Sequence, residues 1–349
     1  MNDVCDRLEE VGISQAIKYE GVTHMKVDEL RKTLERYDVN VLKEIIVMLY
    51  KIIPKSRKEN DGIDELINNF TKENKTAAKK EKPTDYLSLK AQIEQFLDYA
   101  DQSFYFAPNR YVRKDQRSKW RFEVKRFIKQ LLITGGENSE DAANLLAEIY
   151  AMLCYGCNYY IFNTDNPFAS AGYKQRILLD LVLGKIFYNG YNKDSIKKAV
   201  YLTIDSNPDR ETLMTYLLFT LAKMLKTPES KEMAIVNCVT FPKEYAEYQK
   251  SKACFKYSGR DDYRKGEAIN DSAKLYLILK FELYEYDDGI EYFRRNYKAR
   301  NKEIVLYCLL DFIDTYELND LWLREYEKAV DKGIKPRDSL QNKYAERKA

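Results

Sequence analysis

The chain has 349 residues, 45% hydrophobic and 32% charged, enough apolar material for a sizeable core and too much for wholesale disorder. Its 58 basic and 55 acidic side chains leave a net charge of only +3, so any affinity for nucleic acid must rest on a local patch. A single histidine, His24, excludes a multi-histidine metal site, and the glycine-rich phosphate and nucleophile motifs are absent, which argues against an NTPase, a dinucleotide enzyme or a common hydrolase.

The opening MNDVCDRLEE is acidic and lacks the basic-then-apolar layout of a secretory signal, so a cytoplasmic location is expected. In MKVDELRKTLERY, the residues Val27, Leu30, Leu34 and Tyr37 share one helical face. NVLKEIIVMLYKII places Val41, Ile45, Met48, Leu49 and Ile52 on one face, and Pro54 should stop that helix. TKENKTAAKKEKPTD, residues 71–85, is polar, Lys-rich and aperiodic. It reads as a linker between a small helical unit (1–70) and a larger body (86–349).

The body opens with SLKAQIEQFLDYA, carrying Leu89, Ile93, Phe96 and Leu97 at helical spacing. Next comes RYVRKDQRSKWRFEVKRFIKQLL. Counted from Arg117 at ~100° per residue, Trp120, Val124, Phe127, Ile128, Leu131 and Leu132 fall within an arc of roughly 140°. Arg117, Arg121 and Lys125 line one edge of that face. Lys119, Arg126 and Lys129 lie on the far side, with Phe122 among them. An apolar ring on a basic face, preceded by Phe104, Tyr105, Phe106 and Tyr111, is the composition of a stacking platform for single-stranded nucleic acid. The candidate set is Arg110, Arg113, Lys114, Arg117, Lys119, Arg121, Phe122, Arg126 and Lys129. The same pattern is also the wet side of a helix whose other side is core, or a face for an acidic protein.

From a cap at Asn138 or Ser139 a helix should run toward Phe162, through Cys154-x-x-Cys157. That pair fits reduced core thiols, with a metal or redox pair as alternatives; the six cysteines are otherwise scattered. Clusters such as Tyr155, Tyr159 and Tyr160, or Tyr284, Tyr286 and Tyr292, could line a groove. The longest apolar run, residues 177–187, is interrupted by Asp180 and Lys185, so no membrane span is expected. Asn207-Pro208 and Thr227-Pro228 each look like a cap followed by a first-turn proline. FKYSGRDDYRKGEAIND, residues 255–271, reads as an irregular loop. Asp261-Asp262 and Asp287-Asp288 read as loop and helix-start acids rather than a metal set.

In the last third, SAKLYLILKFELYEYDDGIEYFRRNY and KEIVLYCLLDFIDTYELNDLWLREYEKAV each read helix, turn, helix. They recur at about 31 to 32 residues, with Phe281 matching Phe312. The stretch from Tyr286 to Phe293 resembles the second helix of a tetratricopeptide repeat, where a small residue, here Gly289, lets paired helices approach. The second copy carries Leu321 near that place. SQAIKYEGVTHMKVDELRKT can be laid on a helix-turn-helix, with Gly21 at the turn, Val27 and Leu30 buried, and His24, Lys26 and Arg31 facing DNA. Ile17 and Glu20 depart from that motif. A helix-turn-helix before such repeats resembles peptide-sensing transcription regulators of Gram-positive bacteria. The stretch from Met25 to Phe70 also resembles uncharacterised bacterial helical proteins.

These readings converge on an all-α protein, a helical-hairpin array of α-solenoid or tetratricopeptide-like type with a small N-terminal helical unit. The expected function is non-catalytic binding of a protein or peptide, without cofactor or metal. The alternative is nucleic-acid binding through residues 110–129 or through the N-terminal unit.

Overall fold

The computed structural model describes residues 27–54, 58, 63–68, 85–248 and 262–348; their regular structure is helical, with no strand among them. The chain divides into two compact units between Lys82 and Pro83. The Lys-rich segment at 71–84, and the first half of the helix-turn-helix pattern, lie outside the described residues.

In the first unit, α1 spans Val27–Leu34, α2 Val39–Ile52 and α3 Ile63–Asn68. Asp38 caps α2, its Oδ1 accepting from Asn40 N (2.7 Å) and Val41 N (3.1 Å). Ile53 leaves the helix in an extended conformation, as the following Pro54 requires. Tyr50 donates its hydroxyl to Asp64 Oδ1 at 2.6 Å and so ties α2 to α3. The apolar face expected on α2 is present but only partly covered: Val41 and Ile45 are half-buried, while Met48, Leu49 and Ile52 are exposed. Leu30, expected as a buried residue of a recognition helix, is exposed as well.

The second unit begins with α4 (Tyr86–Asp101), α5 (Lys114–Arg117), α6 (Trp120–Ile133), α7 (Ser139–Gly156), α8 (Pro167–Ser170) and α9 (Gln175–Ile186). It continues with α10 (Lys193–Ile204), α11 (Met214–Met224), α12 (Pro228–Tyr248), α13 (Asp262–Glu282), α14 (Tyr286–Asn296), α15 (Lys302–Thr315), α16 (Asn319–Asp331) and α17 (Asp338–Lys348). Most of α7 is buried, because it is apolar nearly all round and is covered by α4, α6 and α9. Beyond it α9 packs on α11 and α11 on α13, while α10 packs beside α12. Alternate helices thus lie side by side, and sequence neighbours close into hairpins, α13 on α14 and α15 on α16.

Those two hairpins share a turn. Tyr284 (φ 62°) and Glu317 (φ 56°) both take the left-handed conformation. The next amide in each reaches back five residues, Glu285 N to Lys280 O (2.9 Å) and Leu318 N to Ile313 O (3.4 Å). Gly289 sits where α14 meets α13. A Cβ there would lie 3.0 Å from Lys280 Cβ and 3.3 Å from Leu277 Cδ1.

Four local expectations are corrected. The helix expected from Pro208 begins at Met214. Buried Gln175 holds residues 207–209 as a loop, donating to Asn207 O (2.9 Å) and accepting from Asp209 N (2.7 Å). The device does operate at α12, where Thr227 Oγ1 accepts from Ser230 N at 3.3 Å and Pro228 follows. The loop expected to 271 is helical from Asp262, and its polar residues fasten α13 to its neighbours. Asn270 exchanges two hydrogen bonds with the Lys298 backbone (2.9 and 2.8 Å), and Ser272 donates to Cys238 O (2.7 Å). The helix expected to reach Phe162 ends at Gly156, where the chain folds back and a Cβ would meet Pro167 Cγ at 3.0 Å. The basic helix does not run unbroken from Arg117 either, since Ser118 and Lys119 separate α5 from α6.

Candidate functional site

The basic aromatic segment starts where α4 ends. Ser103 (φ 57°) reverses the chain, and Asn109 then organises the loop. Its Nδ2 donates to Phe104 O and Ala107 O (both 2.7 Å), and its Oδ1 accepts from Tyr111 N (2.9 Å) and Val112 N (2.7 Å). Arg117 closes the loop by donating to Val112 O (3.1 Å) and Asn109 O (3.2 Å). Beyond it α6 buries Trp120, Val124, Phe127, Ile128 and Leu131, the face that the period of the sequence selects. Trp120 stacks on Phe162 with ring centroids 3.9 Å apart.

The nine candidate residues separate into two groups. Arg117 and Arg126 are engaged inside the fold. Arg126 donates to Gln92 (2.9 Å), Glu123 (2.7 Å) and Gln130 (3.2 Å) and lies over the Phe127 ring, so it links α6 to α4. Its position on the far side of the helix did not leave it in water, because α4 reaches that side. The other seven are exposed. Arg113 pairs with Asp115 at 3.1 Å, Arg110 lies over the Tyr111 ring, and Arg121 lies over Phe122, itself 59% exposed. Lys114, Lys119 and Lys129 make no side-chain hydrogen bond or ion pair among the described residues.

Aromatic rings continue from this segment onto the chain that follows α7. Tyr111 stacks on Phe104 at 4.6 Å with the rings nearly parallel. Phe106 and Tyr160, both exposed, stack on each other at 5.8 Å. Tyr155 stacks on Tyr159 at 4.2 Å. Beside them opens a cleft of about 350 Å³, whose walls include Asn158, Tyr159, Tyr160, Thr164 and Arg210. Arg210 pairs across it with Asp165 at 3.0 Å. A second cleft of about 450 Å³, lined by Tyr173, Lys174, Arg176, Glu211 and Tyr216, opens on the other side of the 205–213 loop. Asp209, largely buried, borders both clefts and accepts from Asn166 Nδ2 at 3.5 Å.

The sequence identified Phe106 and Tyr160 in separate clusters. It carried no signal that they meet, since their proximity depends on α7 ending at Gly156. The other tyrosine cluster separates in two: Tyr292 stacks on Tyr276 at 3.7 Å, while Tyr286 packs edge-on to Phe281 at 5.1 Å and to Tyr284 at 6.3 Å, the latter 81% exposed.

The cysteine pair does not form a ready ligand set. Cys154 is buried, and burial pushes its thiol up to about 11; Cys157 is pushed up further by the same cause. Cys157, which caps the C-terminal end of α7, donates its thiol to Leu153 O at 3.4 Å. Among the described residues no three His, Cys, Asp or Glu side chains are grouped to hold a metal. Asp287 and Asp288 stand in the first turn of α14, paired with Arg324 and Lys280. Among the described residues no helix is long and apolar enough to cross a membrane. No family model matches the sequence, and no curated protein or solved structure is significantly similar to it.

Proposed function

We propose that the chain is a non-catalytic binding protein of helical-repeat type, and that the aromatic cleft beside Tyr160 holds a segment of a protein or peptide. The observation that carries this reading is the exposed Phe106–Tyr160 stack at the rim of a 350 Å³ cleft. Tyrosine and phenylalanine offer large contact area at small entropic cost, and Arg210 and Asp165 supply a polar pair that a peptide backbone can engage. The side-by-side alternate helices and the shared hairpin turns support a repeat architecture of tetratricopeptide-like kind, in which stacked hairpins present such surfaces. A random-peptide display selection against the whole chain tests the reading. It should enrich ligands that lose binding on Phe106→Ser and Tyr160→Ser while helical content is unchanged; a selection without enrichment overturns it.

One observation favours a second reading, binding of single-stranded nucleic acid. Lys114, Lys119 and Lys129 are exposed and without partners among the described residues, and Phe122 stands exposed beside Arg121. Fluorescence anisotropy with labelled single-stranded DNA and RNA at two salt concentrations decides it. Binding should fall with salt and vanish when Lys114, Lys119, Arg121 and Lys129 are changed to Glu. Arg126 is left out of that set, because its loss would disturb the contact between α4 and α6.

A further inference from the structure

The helix α2, VNVLKEIIVMLYKI, presents a contradiction between composition and surroundings. It carries ten apolar residues in fourteen and buries none of them. Val39, Ile46, Val47, Met48, Leu49 and Ile52 are each more than half exposed. A helix so apolar in water is a helix with something to cover it.

The sequence of α2 specifies what fits. Val41 and Ile45, half-buried, and Met48 and Ile52, exposed, are spaced four, three and four residues apart, the a/d seam of a two-heptad coiled coil. Assigning Ile45 and Ile52 to a, and Val41 and Met48 to d, places Glu44 and Lys51 one heptad apart, both at g. The e positions are Leu42 and Leu49, with no charge. In a parallel pair each g faces the e position five residues on, so Glu44 would meet Leu49 and Lys51 would face position 56, beyond the end of α2. In an antiparallel pair g faces g. If Ile45 then layers on Met48 of the other helix, and Val41 on Ile52, Glu44 falls opposite Lys51, and the two-fold axis makes this pair twice. The charges therefore discriminate between the orientations, and the complement to α2 is α2 itself.

We propose that the chain associates with a second copy of itself through an antiparallel, isologous α2–α2 contact, with Val41, Ile45, Met48 and Ile52 at its centre and two Glu44–Lys51 pairs at its flanks. The exposed Leu30 and Ile67, on α1 and α3, supply apolar surface in the same unit. This arrangement does not depend on what the second unit binds.

Sedimentation velocity of the full chain across a micromolar concentration range, with circular dichroism as the control for helix content, tests the proposal. The wild type should sediment as a dimer and Met48→Asp as a monomer with unchanged helix content. Glu44→Lys alone and Lys51→Glu alone should each raise the dissociation constant roughly tenfold, since each turns two attractive pairs into two repulsive ones. The Glu44→Lys, Lys51→Glu double variant should restore wild-type association, because the pairs are rebuilt with the signs exchanged. A monomeric wild type, association that survives Met48→Asp, or a double variant no better than the singles would each overturn it.

Discussion

Arg126 and Lys129 are three residues apart, both cationic and both drawn by helical period to the side of α6 away from the core, yet they do different work. Arg126 holds Gln92, Glu123 and Gln130 and covers Phe127, while Lys129 extends into solvent. Arg126→Ala should therefore cost about 1–2 kcal/mol of stability, from lost hydrogen bonds and lost stem packing. Lys129→Ala should stay within about 0.5 kcal/mol of wild type. Urea denaturation of the two variants checks this, and equal costs would sink the distinction. The sequence could separate core face from polar face on α6 but could not divide the polar face further, because that depends on where α4 lies. Gly289 is the opposite case, marked in advance by the resemblance of residues 286–293 to a tetratricopeptide helix. With a Cβ at 3.0 Å from Lys280 Cβ, Gly289→Val should force α13 and α14 apart at a cost of about 1–3 kcal/mol, read as a lower urea midpoint.

At the scale of elements, helical period and caps predicted most helices, because each buried stripe is written in the helix's own sequence. The errors fall where a distant side chain overrides a local signal. Asn207-Pro208 has the chemistry of a helix start, but Gln175 from α9 binds the backbone on both sides of Pro208 and keeps it a loop. Residues 262–271 have the polarity of a loop, but Asn270, and Ser272 just after it, spend their polar groups on neighbouring backbone. A similar long-range tie joins α4 to α7, where Asp141 accepts from Tyr86 and Lys90, both at 2.7 Å. Burial works to raise the Asp141 carboxyl, but these two bonds outweigh it and hold the group below the ordinary carboxylate range. A carboxyl held low only in the folded state stabilises the fold above its unfolded pKa, about 4. That stability fades as pH falls through this value toward the lower folded one. Asp141→Asn should accordingly melt below wild type at neutral pH and converge with it in acid. Melting curves between neutral and acidic pH measure this, and a gap that does not narrow would mean the tie carries no proton linkage.

At the scale of the molecule, the decisive asymmetry is in where apolar side chains go. The buried core described by the structure runs from Leu89 to Leu340, and none of the described side chains of α1, α2 or α3 is buried. The second unit thus contains within itself the packing that stabilises it, while the first carries apolar residues that remain in water. That difference was not legible in the sequence, because the stripe on α2 is as regular as those on α4 and α6, and a stripe reports only that a face should be covered, not by what. Removing residues 1–82 should therefore leave the thermal midpoint of the remaining chain unchanged within a few degrees, since residues 89–340 supply a continuous buried core of their own. The same truncation should abolish self-association and leave any peptide binding at the Tyr160 cleft intact. Calorimetry and sedimentation of the 83–349 chain separate the possibilities. A large fall in midpoint would mean that the first unit helps to hold the second, whereas a dimer that persists would place the self-contact on the second unit instead of on α2.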